Sequence, residues 1–179
     1  MSSAQAATEA DLLRVPRDGK KYELVDGQIV VSPAGGRHGK IGLRLGARLL
    51  AYATDNALGH AFDSSTGFRL PTGSTRSPDV SFVAKGRLPG EEAPEGFVEL
   101  APDLAVEILS PSDDPRQVLD KVGEYLKAGV RLVWLVDPRN RRAVAYRSLT
   151  DLSELSAADE LDGEDVVPGF RCSLAELLA

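Results

Sequence analysis

Three acidic residues stand in predicted strands that are otherwise apolar. Glu23 lies in YELV, Asp79 in SPDVSFV and Glu107 in LAVEILS. A charged side chain in an apolar strand is costly unless it is paired or binds a metal ion. Carboxylates on neighbouring strands repel one another, and Mg²⁺ or Mn²⁺ would relieve that repulsion. The pattern predicts a divalent-metal site on Asp79 and Glu107; the alternative is that each carboxylate pairs with an arginine or caps a backbone group.

A candidate lysine follows the Glu107 strand, on a helix predicted for residues 114–128. Gln117, Lys121 and Tyr125 are spaced by four residues and therefore share one face of that helix. From this face Lys121 could reach back to the carboxylates and orient an attacking water or stabilise a pentavalent phosphate. Gln117 and Tyr125 would support it. A solvated helix face is the alternative that the sequence leaves open.

A basic stripe lies on an earlier helix, predicted for residues 38–54, and no acidic residue occurs between positions 37 and 54. The stripe consists of Arg37, Lys40, Arg44 and Arg48, which spacings of three to four place opposite the apolar side. A purely basic face favours phosphates, so we predict that the stripe contacts nucleic acid. His38 begins this helix and is either a supporting residue of the site or a structural side chain.

Length and composition limit the class of protein. A chain of 179 residues fits one domain, residues 1–179, with a helical extension over 1–20 and an acidic segment over 149–179. That segment holds eight of the 27 acidic and one of the 21 basic residues, which leaves 20 basic against 19 acidic residues before it. Because residues 1–148 carry almost no net charge, we expect them to bind nucleic acid weakly and in a salt-sensitive way. One cysteine and two histidines argue against a zinc cluster.

The order of predicted elements indicates the fold class. A hairpin around Asp26-Gly27 is followed by the helix over 38–54, strands over 59–70, 77–84 and 103–110, and the helix over 114–128. Further strands follow over 131–137 and 143–148, and a short helix over 173–178 ends the chain. This order predicts an α/β protein whose mixed sheet is flanked by helices and carries extra C-terminal strands. No apolar run could span a bilayer and no signal peptide is recognisable, so we expect a cytoplasmic protein without membrane contact.

Several motifs resemble, in the same order, those of the bacterial family of putative restriction endonucleases with the PD-(D/E)XK nuclease fold. They are YELVDG (22–27), HG (38–39), SPDVSFV (77–83), APDLAVEILSPSD (101–113), VWLVDP (133–138) and PGF (168–170). The resemblance covers about residues 20–179. It implies a restriction-endonuclease-like core in which Asp79 and Glu107 bind Mg²⁺ and Glu23 completes the catalytic site.

The chain departs from the general motif at one position. The lysine of such nucleases normally stands two residues after the second acid, where this chain has Leu109. The resemblance implies that Lys121 replaces it. Two functions follow: an Mg²⁺- or Mn²⁺-dependent endonuclease that hydrolyses DNA with a metal-activated water, or an inactive module that binds nucleic acid or a partner protein. Because a duplex has two strands, we also expect a homodimer.

Overall fold

Residues 6–16, 18, 20–32, 35–111 and 113–179 are described by the computed structural model of this chain. The helices found there are α1 (Glu9–Leu12), α2 (Gly36–Asp55), α3 (Pro115–Lys127) and α4 (Leu174–Leu177), with a 3₁₀ turn at Pro89–Glu91. The strands are β1 (Lys21–Val25), β2 (Gln28–Ser32), β3 (Gly59–Asp63), β4 (Phe68–Arg69), β5 (Thr75–Arg76), β6 (Val80–Ala84), β7 (Leu104–Ile108), β8 (Leu132–Asp137), β9 (Arg142–Tyr146), β10 (Leu152–Ser156), β11 (Glu160–Asp162) and β12 (Arg171–Ser173).

The main sheet is mixed, as the sequence predicts. Its six strands lie in the order β10-β9-β8-β7-β6-β3, and β7 runs parallel to β8 while the other pairs are antiparallel. A second sheet has the order β2-β1-β5-β4, and β11 pairs with β12. All six residues of β8 are buried, which fits the prediction that this continuously apolar strand is internal to the sheet.

Two apolar clusters cover the two faces of the main sheet. The first contains Leu45 and Leu49 of α2 together with Val80, Val106 and other residues of β6, β7 and β8. The second contains Val122 and Tyr125 of α3, together with alternate residues of the same strands. Side chains alternate between the two faces of a strand, so in β7 Leu104 and Val106 face α2 while Ala105 faces α3. This alternation therefore decides which side chains of β6 and β7 meet α3.

Local sequence signals account for the ends of the elements nearest the site. Asp26 and Gly27 have φ angles of 46° and 72°, the left-handed conformations that a two-residue turn between β1 and β2 requires. The Asp114 carboxylate accepts a hydrogen bond from the Arg116 amide and Pro115 occupies the first turn, so α3 begins where predicted. Gly129, with a φ of 96°, follows the end of α3.

The prediction of one continuous strand over 59–70 is wrong, because two separate strands, β3 and β4, occupy this range. Strand β3 ends at Asp63, whose carboxylate accepts hydrogen bonds from the amide and the hydroxyl of Ser65 at 3.0 and 2.6 Å. This local turn competes with the strand ladder, and the chain then enters β4 in the other sheet. Helix α1 is also shorter than predicted. Residues 1–5, 17 and 19 of the predicted N-terminal extension lie outside the described residues.

The C-terminal strands and α4 are additions that pack on the first cluster through Leu161, Leu174 and Leu177. Acidic residues of this segment form ion pairs within the chain, including Glu164 with Arg147 and Asp162 with Arg171. Across the described part of the chain, no helix is both long and apolar enough to cross a membrane.

Candidate active site

Strand register brings Asp79 and Glu107 together. In the antiparallel pair of β6 and β7, Val80 lies opposite Val106, and the Asp79 amide donates a 2.9 Å hydrogen bond to the Val106 carbonyl. Asp79 stands immediately before β6, and its Oδ2 accepts a 2.8 Å hydrogen bond from the amide of Ile108, the residue after Glu107. The pairing of β6 with β7 therefore holds Asp79 beside the Glu107 end of β7, and both residues line one cavity.

The second sheet adds two groups from β1. Lys21 and Glu23 are two residues apart and therefore share a face of this strand. The Lys21 ammonium donates a 2.8 Å hydrogen bond to Asp79 Oδ1. Glu23 is buried, and its Oε1 accepts a 2.8 Å hydrogen bond from the Ser77 amide. The β1 strand thus places a cation and a third carboxylate beside the Asp79–Glu107 pair.

Helix α3 supplies a lysine and a tyrosine that both hold Glu107. The Lys121 ammonium lies 2.9 Å from Glu107 Oε2 and 3.2 Å from the Glu23 carboxylate. One turn later, the hydroxyl of the fully buried Tyr125 donates a 2.7 Å hydrogen bond to Glu107 Oε1. Each oxygen of Glu107 therefore has its own donor from the same face of α3.

Helix α2 contributes His38 from its first turn. Its Nε2 lies 2.9 Å from Asp79 Oδ2, and the Ile108 amide donates a 2.8 Å hydrogen bond to the same oxygen. Because Lys21 holds Oδ1, both oxygens of Asp79 are engaged. The supporting role predicted for His38 is therefore consistent with its position.

Arg76 and Glu124 form an ion pair next to the buried carboxylate of Glu23. Arg76 is buried, and its guanidinium lies 3.7 Å from Glu23 Oε2. Its Nε donates a 2.7 Å hydrogen bond to Glu124 of α3, and a second nitrogen contacts the same oxygen. Arg76 therefore links β5 to α3 and adds positive charge behind Glu23.

A cavity of about 420 Å³ opens over these groups. Its lining includes the predicted catalytic residues and two of the predicted supporting ones, namely Glu23, His38, Asp79, Glu107, Gln117 and Lys121. Gln117 is exposed and lies on its wall. The spacing of α3 thus brings Gln117 and Lys121 to the cavity, while Tyr125 lies behind Glu107.

The basic stripe has partners within the chain. Lys40 and Arg44 donate hydrogen bonds to the Ala179 carbonyl at 3.0 and 2.6 Å, and Arg48 pairs with Glu176 at 2.9 Å. Arg37 donates a 2.9 Å hydrogen bond to the Pro138 carbonyl. These contacts turn the stripe toward the C-terminal helix, whereas His38 reaches the site from another side of α2. DNA contact by the stripe stays a prediction.

Burial and neighbouring charges determine the protonation states of Asp79 and His38. Burial acts to raise the pKa of Asp79, but the hydrogen bond from His38 and the charge of Lys21 outweigh it and hold that pKa well below its usual range. The hydrogen bond to Asp79 raises the pKa of His38, against the opposing effect of burial. Asp79 is therefore an anion stabilised by the side chains of Lys21 and His38 and by the Ile108 amide.

Glu107 is in a different environment. Burial raises its pKa, the Lys121 charge opposes that rise, and the carboxylates of Asp79 and Glu23 reinforce it. The pKa of Lys121 is raised because Glu107 and Glu23 outweigh burial, and burial together with Glu107 raises the pKa of Tyr125 well above its usual value. Lys121 is therefore a cation and Tyr125 a neutral hydrogen-bond donor.

Two members of the site, Lys21 and Arg76, were missed by the sequence analysis. Lys21 stands two residues before Glu23, and this spacing could have indicated that it shares a strand face with a site carboxylate. Arg76 belongs to the short β5, and no comparable periodicity marks it. Together with Lys121 they balance the charges of the three carboxylates.

The donor set fits a hard divalent cation that is shared with a substrate. Within the described residues, no group of three or more His, Cys, Asp or Glu side chains is arranged to hold a metal ion. Mg²⁺, however, commonly uses only one or two carboxylates and completes its shell with waters and phosphate oxygens. Asp79 and Glu107 provide two such carboxylates, and the ammonium groups beside them show that cations are stabilised at this position.

Fold and site together define a nuclease-like α/β protein. The chain superposes, with a TM-score of 0.80 and 21% identity, on the crystal structure of a putative nuclease belonging to DUF820 from Anabaena variabilis ATCC 29413, covering 96% of this chain and 97% of that one. Residues 9–175 match the Uma2 family, described as putative restriction endonuclease, and the chain belongs to this family. Among curated proteins no match is found.

Proposed function

We propose that this protein is a divalent-metal-dependent endonuclease that hydrolyses phosphodiester bonds of DNA, with the cytoplasm as its predicted location. The observation that carries the proposal is the convergence of Asp79 and Glu107 on one cavity, with Lys121 bonded to Glu107. Two carboxylates at one cavity can hold a metal ion that activates water for phosphodiester hydrolysis, and a lysine beside them can stabilise the charge that develops on the phosphate. Family membership supports the same class of reaction.

Asp79 and Glu107 would hold the metal ion, Mg²⁺ or Mn²⁺. When bound, such an ion lowers the pKa of a water and polarises a phosphoryl oxygen. His38 and the Ile108 amide fix Asp79 Oδ2, which orients the carboxylate toward the site. The Tyr125 hydroxyl fixes Glu107 in the same way.

Lys121 is the residue of this chain best placed to act on the phosphate. Its ammonium lies at the cavity wall between Glu107 and Glu23 and is charged. A fixed cation stabilises the negative charge that develops on the phosphoryl oxygens during attack by water. Hydrolysis adds water across one P–O bond and releases a phosphate monoester and a hydroxyl group. Glu23 keeps Lys121 in place as its second partner.

Cleavage of supercoiled plasmid DNA tests the proposal. The protein is incubated with Mg²⁺, Mn²⁺ or EDTA, beside Asp79→Asn and Glu107→Gln variants. Matched controls are Asp120→Asn and Glu154→Gln, two exposed carboxylates that do not line the cavity. We expect metal-dependent cleavage by the wild type and both controls, and none by the site variants.

Cleavage that persists in Asp79→Asn would refute the assignment of Asp79 as a residue that holds the metal ion. A wild type that binds DNA but never cleaves it would favour the alternative, an inactive binding module, for which the replacement of the usual lysine by Leu109 is the supporting observation. Cutting both strands of a duplex is simplest for a two-fold dimer, which we also propose. Light scattering at micromolar concentration decides this, and a monomer mass would contradict the dimer.

A further inference from the structure

Lys21 contacts the carboxylate cluster through Asp79, yet the proposed reaction assigns it no role. Its ammonium donates a 2.8 Å hydrogen bond to Asp79 Oδ1, and only 15% of its side chain is exposed. Its positive charge also adds to the lowering of the Glu23 pKa and opposes the burial that raises the Glu107 pKa. A lysine at the start of a strand would usually extend its ammonium into water. Here the ammonium points inward, to the place where a cation is needed.

The two oxygens of Asp79 are not equivalent. Oδ2 accepts hydrogen bonds from a backbone amide, that of Ile108, and from His38. The amide is fixed by the strand, so Oδ2 is bound to the scaffold. Oδ1 faces a flexible side chain, the ammonium of Lys21. Oδ1 is therefore the oxygen that Asp79 can offer to a metal ion.

Lys121 differs from Lys21 in its second partner. When Glu107 turns toward a metal ion, the Lys121 ammonium keeps its contact with Glu23, which lies 3.2 Å away. Among the residues that the structure describes, the ammonium of Lys21 has its ion pair with Asp79 alone. Lys121 can thus stay in place while a metal binds, whereas Lys21 has to leave Oδ1.

We propose that Lys21 is a built-in counter-cation that occupies the metal-facing oxygen of Asp79, so that metal binding is an exchange of the Lys21 ammonium for the divalent ion. The exchange leaves the Asp79 carboxylate paired with a cation in both states and weakens the affinity for the metal, because the ion has to displace a cation already bound. This inference rests on the proposed metal-dependent function.

Mn²⁺ binding tests the exchange without any measure of activity. Free Mn²⁺ is followed by its electron paramagnetic resonance signal as purified protein is titrated in the absence of DNA. Lys21→Met is compared with wild type and with Lys20→Met, a matched control. Lys20 is the adjacent lysine, its side chain is 54% exposed, and its partner is Asp18 rather than a site residue.

We expect Lys21→Met to bind Mn²⁺ about tenfold more tightly than wild type, since a competing cation has been removed. Lys20→Met, with the same loss of net charge, should bind as wild type does. A role of Lys21 in structure alone would weaken Mn²⁺ binding on its removal, the opposite sign. Lys21→Gln is the second variant should Lys21→Met fold poorly, and circular dichroism identifies that case.

Two contrary results have different meanings. If wild type binds Mn²⁺ and Lys21→Met binds it equally or more weakly, the exchange is wrong and the metal-dependent function stands. If neither protein binds Mn²⁺ without DNA, the exchange is wrong, and metal-dependent cleavage of plasmid DNA decides separately whether the metal-dependent function stands. Thermal unfolding gives a second measurement, because tighter binding to Lys21→Met predicts a larger rise in Tm on addition of Mn²⁺.

Discussion

The Lys121 ammonium lies 2.9 Å from Glu107 Oε2, although fourteen residues separate the two along the chain. Leu109 stands two residues after Glu107, on the same strand face, and its side chain packs against the α3-side cluster. Helix α3 covers that face and turns Lys121 back to the carboxylate. A lysine from the helix thus contacts Glu107, which is consistent with the expectation that Lys121 takes the place of the strand lysine.

Removal of the Lys121 charge should abolish cleavage while the fold is kept. We expect Lys121→Gln to reduce the rate of plasmid cleavage by at least about 100-fold, the scale of losing one electrostatic contact to a transition state. Lys127→Gln is the matched control, because Lys127 is exposed on the last turn of the same helix. Equal cleavage by Lys121→Gln and wild type, with similar melting curves, would show that Lys121 has no part in the reaction.

Tyr125 should act on the metal through Glu107. Tyr125→Phe removes the hydroxyl that donates to Glu107 Oε1, so we expect a loss of about 1–2 kcal/mol in the free energy of unfolding and roughly 10–100-fold weaker Mn²⁺ binding. Tyr52→Phe removes a comparable hydrogen bond, 3.0 Å long, to the Pro168 carbonyl. The control should change stability alone. Titration with Mn²⁺ separates the two effects, and unchanged affinity in Tyr125→Phe would contradict the role.

The carboxylates of the site could be predicted from the sequence because charge is rare in apolar strands. Asp79 and Glu107 each interrupt such a strand, and the spacing of Lys121 and Tyr125 fixes a shared helix face. The hairpin at Asp26-Gly27 and the cap at Asp114 are equally local signals, and the structure confirms both. Where a few neighbouring residues determine the conformation, sequence reasoning was sufficient.

Features that depend on distant parts of the chain were not predictable. The spacing of Lys21 from Glu23 indicates a shared strand face, but its contact with Asp79 depends on how β1 and the second sheet meet the main sheet, which no local pattern encodes. The break at Asp63 depends on a side-chain turn that competes with strand pairing. No residue near the basic stripe of α2 in the sequence indicates a partner for it. Its partners Glu176 and Ala179 lie more than 120 positions further along the chain.

The basic stripe should stabilise the packing of the C-terminal helix. We expect the double variant Arg44→Gln/Arg48→Gln to lose up to about 1 kcal/mol of unfolding free energy for each contact, since both side chains are partly exposed. DNA contact is a separate prediction, tested by the salt dependence of DNA binding. Two lost phosphate contacts would reduce the log–log slope by about 1.8. Arg139→Gln/Arg141→Gln, in an exposed turn, is the control, and an unchanged slope in the α2 variant would assign the stripe a structural role alone.

The Glu124–Arg76 pair should make stability depend on pH in the acidic range. Burial acts to raise the pKa of Glu124, but hydrogen bonding to Ser74 and the charge of Arg76 outweigh it and lower that pKa. A carboxyl group whose pKa is lower in the folded state contributes stability above its unfolded pKa, about 4.3, and this contribution is lost as the pH falls through the folded value.

We therefore expect Glu124→Gln to be less stable than wild type at pH 7, by about 1–2 kcal/mol, because Arg76 loses a charged partner. The difference should shrink toward pH 3, where the wild-type carboxylate itself becomes protonated. Thermal unfolding at a series of pH values measures this, with Glu154→Gln on the exposed face of β10 as the control. A difference between wild type and Glu124→Gln that stays constant from pH 7 to pH 3 would mean that the ionised pair contributes nothing, and that the variant acts through packing alone.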